Sequence, residues 1–448
     1  MKHRGRHRRR RRGQALRATL AGTALALTAA ATLISTSQAT GSGSPGGLTA
    51  LGTASRTAPL RLHEKPVDLD TLDRLTKNMG GNVGVDGVLG SADRTMRDEA
   101  GCSSAERAAL PVEPTATRAY CWDEGDERTR QWQPRSVTTS GDADDDGHWG
   151  EHRVILAGWT HRDRQAAAPT RDRGLARVAF VDATDPRALR YSWVLLVAPR
   201  DGGRDFEPVR SALDGMVWYQ DKLIVTGAHG SGLLVFDMHR ILRAGVDSGA
   251  VGRVSGGYSA GGYRYVLPAV DAYEPAGGTC TRRGGRTPCF ASLSLDRSSA
   301  PDSLVAAERP AAGSERTRVW RYAYSTAAYR TGLLADSRGR VDAVEAYESK
   351  AAGVSGVLAH TPRGARGAQW YLGQAPEVPT RHGSIWRQTE DGAEAATCTA
   401  DRSHACWGLR TGSLSYWQET GEVWTLTRAA GRRALYAVPL SAVAGSLE

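Results

Sequence analysis

From about residue 136 the chain alternates apolar and polar positions with period two. Gly, Asp and Pro punctuate the alternating runs, which is the signature of short half-buried strands joined by turns. The pattern comes in paired strands. First halves read "RSVTTSGDADDDGHWGEHRVILAGW" from Arg135, "DGMVWYQDKLIVTG" from Asp214, "ASLSLDRSSAPDSLVAAER" from Ala291, "SGVLAHTPRGARGAQWYLGQ" from Ser355 and "GSLSYWQETGEVWTLTR" from Gly412. Second halves read "GLARVAFVDATDP", "GLLVFDMHRIL", "TRVWRYAYS", "HGSIWRQTEDG" and "RRALYAVPLSAV". Five such units recur at irregular intervals of roughly 60–80 residues. An antiparallel sheet of this kind must bury a face on its neighbours, and radial stacking also protects the strand edges. The expected fold is therefore all-β, a β-propeller of five blades, with six the second count and a pair of β-sandwiches the main rival. Residues 118–135 are expected to supply the strand that closes the ring.

The only strong helical period lies ahead of the repeats. In "PVDLDTLDRLTKNMGG" Leu69, Leu72, Leu75 and Met79 share one face, acids crowd the first turns, and Gly80–Gly81 end the helix. Residues 63–117 are read as this short N-terminal helix plus a disulfide-containing extension, and residues 118–448 as the propeller. Residues 40–62, rich in Gly and Ser, read as a flexible linker.

Residues 1–39 carry nine basic residues and no acid, then the Ala/Leu/Thr run "ATLAGTALALTAAATLI", then "SQA" ending at Ala39. This is the layout of a secretory signal peptide, by the general route rather than the twin-arginine one. The run is Ala- and Thr-rich and barely long enough to span a bilayer, so cleavage is expected, leaving no integral membrane segment. The formal charge of +10 then belongs almost wholly to the leader, and nucleic-acid binding loses its support. A secreted, extracellular protein is expected. No Asn-x-Ser/Thr sequon occurs.

"SVTTSGDADDDGHWGEHRVILAGW", "YSWVLLVAP", "DGMVWYQDKLIVTG", "YRYVLPAVDAYEPAGGTC" and "LSYWQETGEVWTLT" resemble exported actinobacterial proteins of propeller type whose function is unassigned. The resemblance covers most of residues 115–445. It implies the fold and export, but no reaction and no catalytic residue.

Six cysteines in an exported chain read as disulfides, and their spacing favours Cys102–Cys121, Cys280–Cys289 and Cys398–Cys406 over zinc, since no Cys-x-x-Cys pair occurs. "SGDADDDGHWG" opens like a calcium loop: Asp142, Asp144 and Asp146 supply hard oxygen ligands and Gly147 the sharp turn. Arg153 stands where a bidentate Glu would be needed, so this is no EF-hand. A structural calcium is weighed against a solvated acidic turn.

"GYSAG" matches the nucleophile-elbow pattern at Ser259, but a strand-like run follows it where a helix is required. Gluconolactonase-like propellers hold calcium with paired Asn ligands, and this chain has no Asn after Asn82. Asp214, Asp271, Glu274, Asp296 and Glu308 could supply glycosidase carboxylates only if two or three converge. His229, His360 and His382 have no metal spacing, and the ten tryptophans from Trp149 to Trp424 read as packing more readily than as a sugar platform. The expected function is binding of an extracellular ligand or partner, a carbohydrate or a protein. The alternative is a propeller hydrolase acting on a polysaccharide or lactone.

Overall fold

The computed structural model describes residues 43–162, 174–281, 286–310, 314, 316–327, 330–376, 378 and 380–447. Residues 1–39, read above as a signal peptide, lie outside the described residues. The chain divides at Pro45, and the fold considered below is the unit beginning at Gly46. It is all-β, with 43% strand and 13% helix.

The five repeats fall on five antiparallel meanders of four strands each. The first meander is Trp132–Thr139, Val154–His161, Ala176–Asp182 and Arg190–Arg200. The second is Met216–Tyr219, Lys222–Thr226, Leu233–Asp237 and Tyr265–Pro275. A short parallel pairing of Tyr265–Pro268 with Val194–Val197 joins these two into one 13-stranded sheet that also takes in shorter strands. The third is Cys289–Asp296, Ser303–Arg309, Thr317–Ala323 and Glu345–Ser349. The fourth is Val354–His360, Gln369–Gln374, Ser384–Gln388 and Ala393–Ala395. The fifth has three strands from the C-terminal end, Ser415–Trp417, Glu422–Leu426 and Ala434–Pro439. Its fourth strand, Arg118–Cys121, comes from before the first meander and pairs Ala434 with Cys121 and Ala437 with Arg118.

Period-two alternation explains how each meander serves two neighbours at once. In the second meander Met216, Trp218, Leu223 and Val225 join a core with Val154, Leu156, Val178 and Phe180 of the first. Val217, Tyr219 and Ile224 turn the other way, into a core with Leu293, Leu304 and Trp320 of the third. Further cores lie between the third and fourth, the fourth and fifth, and the fifth and first. The tryptophans are spent there. Trp159, Trp218, Trp320, Trp370 and Trp407 are each at most 1% exposed, and burying one side chain of this size contributes about 2–3 kcal/mol.

The first strands pack against one another, and hydroxyl groups tie them in sequence. Thr138 Oγ1 accepts from Trp218 N–H at 2.9 Å, Ser292 Oγ from Val357 N–H at 3.1 Å, and Ser413 Oγ from Val137 N–H at 2.9 Å. The approach is close enough that a Cβ on Gly356 would lie 2.8 Å from Leu414 Cγ.

Residues 46–62 depart from the linker expectation. Leu48, Leu51, Leu60 and Leu62 are buried, Thr49–Ala50 pairs with the outer strand of the third meander, and Leu62–Glu64 pairs with that of the second. Gly/Ser composition signals freedom of the chain, but four leucines on open sheet edges have apolar surface to bury. The helix Leu69–Asn78 forms as expected, capped by Asp68 and followed by Gly80 and Gly81 at positive φ. It buries Leu72 and Leu75 but leaves Leu69 exposed. Arg94–Thr95 then pairs with the first meander and Arg97–Asp98 with the closing strand. The N-terminal segment thus runs as a belt along outer edges, from the fourth meander, where Leu48 N–H bonds Thr389 O, back to the fifth. Short helices at Gly84–Leu89, Glu124–Arg128 and Leu440–Gly445 carried no clear sequence signal. The cysteines form the three bridges their spacing favoured, 102–121, 280–289 and 398–406.

Candidate functional site

The two ends of the first strands differ in chemistry. At the end where they begin, the ladder between Trp132–Thr139 and Val154–His161 slips between Pro134 and Ser136, leaving Arg135 as the extra residue of a bulge. Ladders slip at the matching places in the third and fourth meanders, at Ala291 and Ser355. A bulge re-aims the side chain it carries. Here it delivers the Arg135 guanidinium to Asp214, two residues before the first strand of the second meander. The other oxygen of Asp214 takes Arg309, from the end of the second strand of the third. Arg135 and Asp214 are both buried, whereas the Arg309 side chain is 31% exposed.

Three further guanidinium groups converge on this mouth. Arg428 donates its Nε–H to the Arg410 carbonyl at 3.1 Å and accepts at its own carbonyl from Gln133. Burial, with Arg162, Arg410 and Arg309 nearby, pushes the Arg428 guanidinium down to about 9. Burial and then the charges of Arg428, Arg162, Arg309 and Arg410 push Arg135 well below the ordinary arginine value. Arginine holds its proton against such pressure, so the crowding persists as electrostatic repulsion that an anion would relieve. Asp214 is the carboxylate that Arg135 and Arg309 share.

The backbone is strained at the same place. Leu213, just before Asp214, has φ +48°, and Arg410 has φ +49°. Both lie in the left-handed region that glycine adopts freely and a bulky side chain does not, and such outliers gather at binding sites. Gly412 is pressed against the Arg135 carbonyl, which accepts from Ser413 N–H at 3.3 Å. Arg135, Asp214, Ala291, Ser355 and Gly412 therefore hold one position in the five repeats. Two carry charge and three are small.

Of the carboxylates named from sequence, only Asp214 belongs to this mouth. Asp296 pairs with Arg321 and Glu308 with Arg318. Asp271 lies beside Glu64 of the belt, and burial, with the Glu64 charge also acting, pushes it up to about 7. Glu274 faces His63 across the pairing of Leu62–Glu64 with the second meander. His229 sits at φ +56° in a turn, His360 packs on the Tyr416 ring, and His382 bonds the Ala108 carbonyl. Ser259 lies in the hairpin of Val251–Val254 with Gly257–Ala260, buried and bonded to Ser248, with no helix after it, so it is not a nucleophile elbow.

At the other end of the first strands the acidic loop is split. Asp142 is buried in a helical turn, Ser140–Ala143, and its Oδ2 accepts from Thr138 at 2.6 Å and Ser415 at 2.9 Å. Burial raises its pKa to about 6. Asp144 and Asp146 are exposed, and Asp146 Oδ1 caps His148 N–H. Asp145 instead pairs with Arg297 of the third meander. Among the described residues the only group of three His, Cys, Asp or Glu with ligand atoms all within 4.8 Å is Cys102, Glu106 and Cys121. Its two sulfurs are bonded to each other.

No protein-family model matches the chain, and no curated protein matches it. Among solved structures, a protein from Parabacteroides distasonis provisionally named a glycoside hydrolase is similar over 77% of this chain and 96% of its own, at 10% identity and a TM-score of 0.28. An auxiliary nutrient binding protein from Bacteroides thetaiotaomicron is similar over 69% of this chain and 77% of its own, at 8% identity and a TM-score of 0.27. Among the described residues no helix is long and apolar enough to cross a membrane.

Proposed function

We propose that this chain is an exported five-bladed β-propeller that binds an extracellular ligand bearing carboxylate or sulfate groups at its arginine-lined mouth. The observation that carries this reading is the convergence of Arg135, Arg309, Arg410 and Arg428 at one end of the first strands, where Arg135 and Arg309 share Asp214 in a strained and crowded backbone. Guanidinium groups present planar donor forks that match carboxylate and sulfate oxygens. Five meanders, cores at their junctions and closure by Arg118–Cys121 support the propeller. The leader-like residues 1–39 and the three disulfides support export.

Binding is favoured over hydrolysis because Asp214 is held in two ion pairs, where it is not free to act as nucleophile or general acid. A structural calcium at Asp142, Asp144 and Asp146 stays part of the proposal on the spacing of the loop alone, and Asp142 would have to share its oxygens with Thr138 and Ser415. Calorimetric titration with an oligogalacturonate, its neutral counterpart and inorganic sulfate tests the reading. The charged ligands should bind, weaken as salt rises, and lose at least tenfold in affinity in Arg309→Ala. Equal binding of the neutral counterpart, or reducing-sugar release in step with binding, would overturn it.

A further inference from the structure

Asp214 and Gln220 flank the same first strand, Met216–Tyr219, at its two ends. Beside Gln220 a cavity of about 400 Å³ opens between the second and third meanders, within the size range of small-molecule sites. Its wall combines Tyr219 and Tyr324, whose stacked rings have centroids 3.8 Å apart, with Gln220, Ser299, Asp302 and Thr331. Gln220 has φ +50°, a conformation glycine would take without strain. Its Oε1 accepts from Thr331 Oγ1 at 3.2 Å across the gap between meanders, and its amide nitrogen has no partner among the described residues. Asp302 Oδ2 accepts from the Tyr219 hydroxyl at 3.0 Å, and its other oxygen makes no hydrogen bond among the described residues. Both cations near the cavity are already engaged: Arg330 on its rim is paired with Glu64, and Arg297, 3.7 Å from Asp302, is paired more closely with Asp145.

We propose that this cavity is a second binding site, separate from the arginine mouth, that takes a neutral ring rich in hydroxyl groups, a single saccharide residue. A carboxylate oxygen and an amide nitrogen side by side accept from and donate to neighbouring hydroxyls, and the tyrosine rings meet the apolar side of the ring. With both cations already engaged by carboxylates, an anion gains no advantage here, in contrast to the other end. The site does not depend on what the arginine mouth binds.

Gln220→Gly separates this reading from a purely structural role, because it removes the amide and relieves the positive φ together. Saturation-transfer NMR with neutral methyl glycosides at millimolar concentration, and sodium galacturonate for comparison, should detect at least one neutral glycoside. Its affinity should fall at least tenfold in Gln220→Gly and in Asp302→Asn, with the Gln220→Gly melting temperature unchanged or raised. Arg309→Ala should leave this binding intact. No saturation transfer from any neutral glycoside, or transfer that survives both cavity substitutions, would overturn the proposal whatever happens at the arginine mouth.

Discussion

Asp214→Asn tests whether the arginine cluster is held together by one charge. Asparagine keeps the volume and one acceptor oxygen, but it removes the negative charge and turns the second acceptor into an amide donor that faces a guanidinium. Arg135 would then remain buried among four other guanidiniums with no counter-charge. Breaking a buried pair by deleting one partner costs about 3–5 kcal/mol. Arg309 is partly exposed and adds less than about 1 kcal/mol. Because asparagine still accepts a hydrogen bond, the low end applies, about 3 kcal/mol. In a chain of this size that is a fall of about 3–4 °C in the melting temperature. Scanning calorimetry should also show the deficit shrinking in sulfate, since anions bound at the partly exposed Arg309 replace the missing charge. A variant that melts within 1 °C of the parent, with the same sulfate dependence, would show that Asp214 does not hold the cluster. The site would then lose its geometric basis.

Asp142 has a folded pKa of about 6 against an ordinary 3.8, so the folded chain holds this proton more tightly than the unfolded chain. Stability on this account is greatest below pH 3.8 and falls by about 3 kcal/mol as pH rises to 6. Asp142→Asn should raise the melting temperature at pH 7 and flatten that slope, and an unchanged slope would show that another group sets it. Cys102→Ser with Cys121→Ser frees the belt from the closing strand and should cost about 3 kcal/mol. Faster hydrogen exchange at 118–121 and 434–437 is the local sign, and exchange confined to other meanders would refute it. If the acidic loop holds calcium, about 5 mM calcium after chelation should raise the melting temperature, and Asp144→Ala should abolish the rise. No rise in the parent removes the calcium.

The strands were legible because they are amphipathic in two directions. Met216 and Val217, or Leu223 and Ile224, bury opposite faces into different cores, and that requirement writes period two into the sequence. The outer strands were less so, since Glu345–Ser349 and Ala393–Ala395 are partly open and carry little pattern. The belt was misread for a related reason. Leu48, Leu51, Leu60 and Leu62 sit among Gly, Ser and Thr, and nothing in their spacing announces that they fill the edges of sheets far along the chain. The cysteine pairs were legible from short separations alone, as was the helix at Leu69–Asn78 from its caps and spacing.

The arginine mouth was hidden by averaging. Removing the basic leader brings the formal charge of the remaining chain close to neutrality, and a near-neutral chain argues against an anion site only if its charges are spread evenly. They are not: Arg135, Arg162, Arg309, Arg410 and Arg428 come from the first, third and fifth meanders or their flanks and meet only once these meanders pack together. One signal was available. Arg135, Asp214, Ala291, Ser355 and Gly412 head the five repeats, and the repeats agree in small and apolar residues just after that position while differing at it. A place where the repeats differ is one that the packing shared by all five meanders does not fix to a single residue type, even though Gly412 is held small by the Arg135 carbonyl. Variation at a fixed place in an otherwise regular repeat therefore marks where such a fold can carry chemistry, and here it marks the only two of the five that bear charge, Arg135 and Asp214, which are bound to each other.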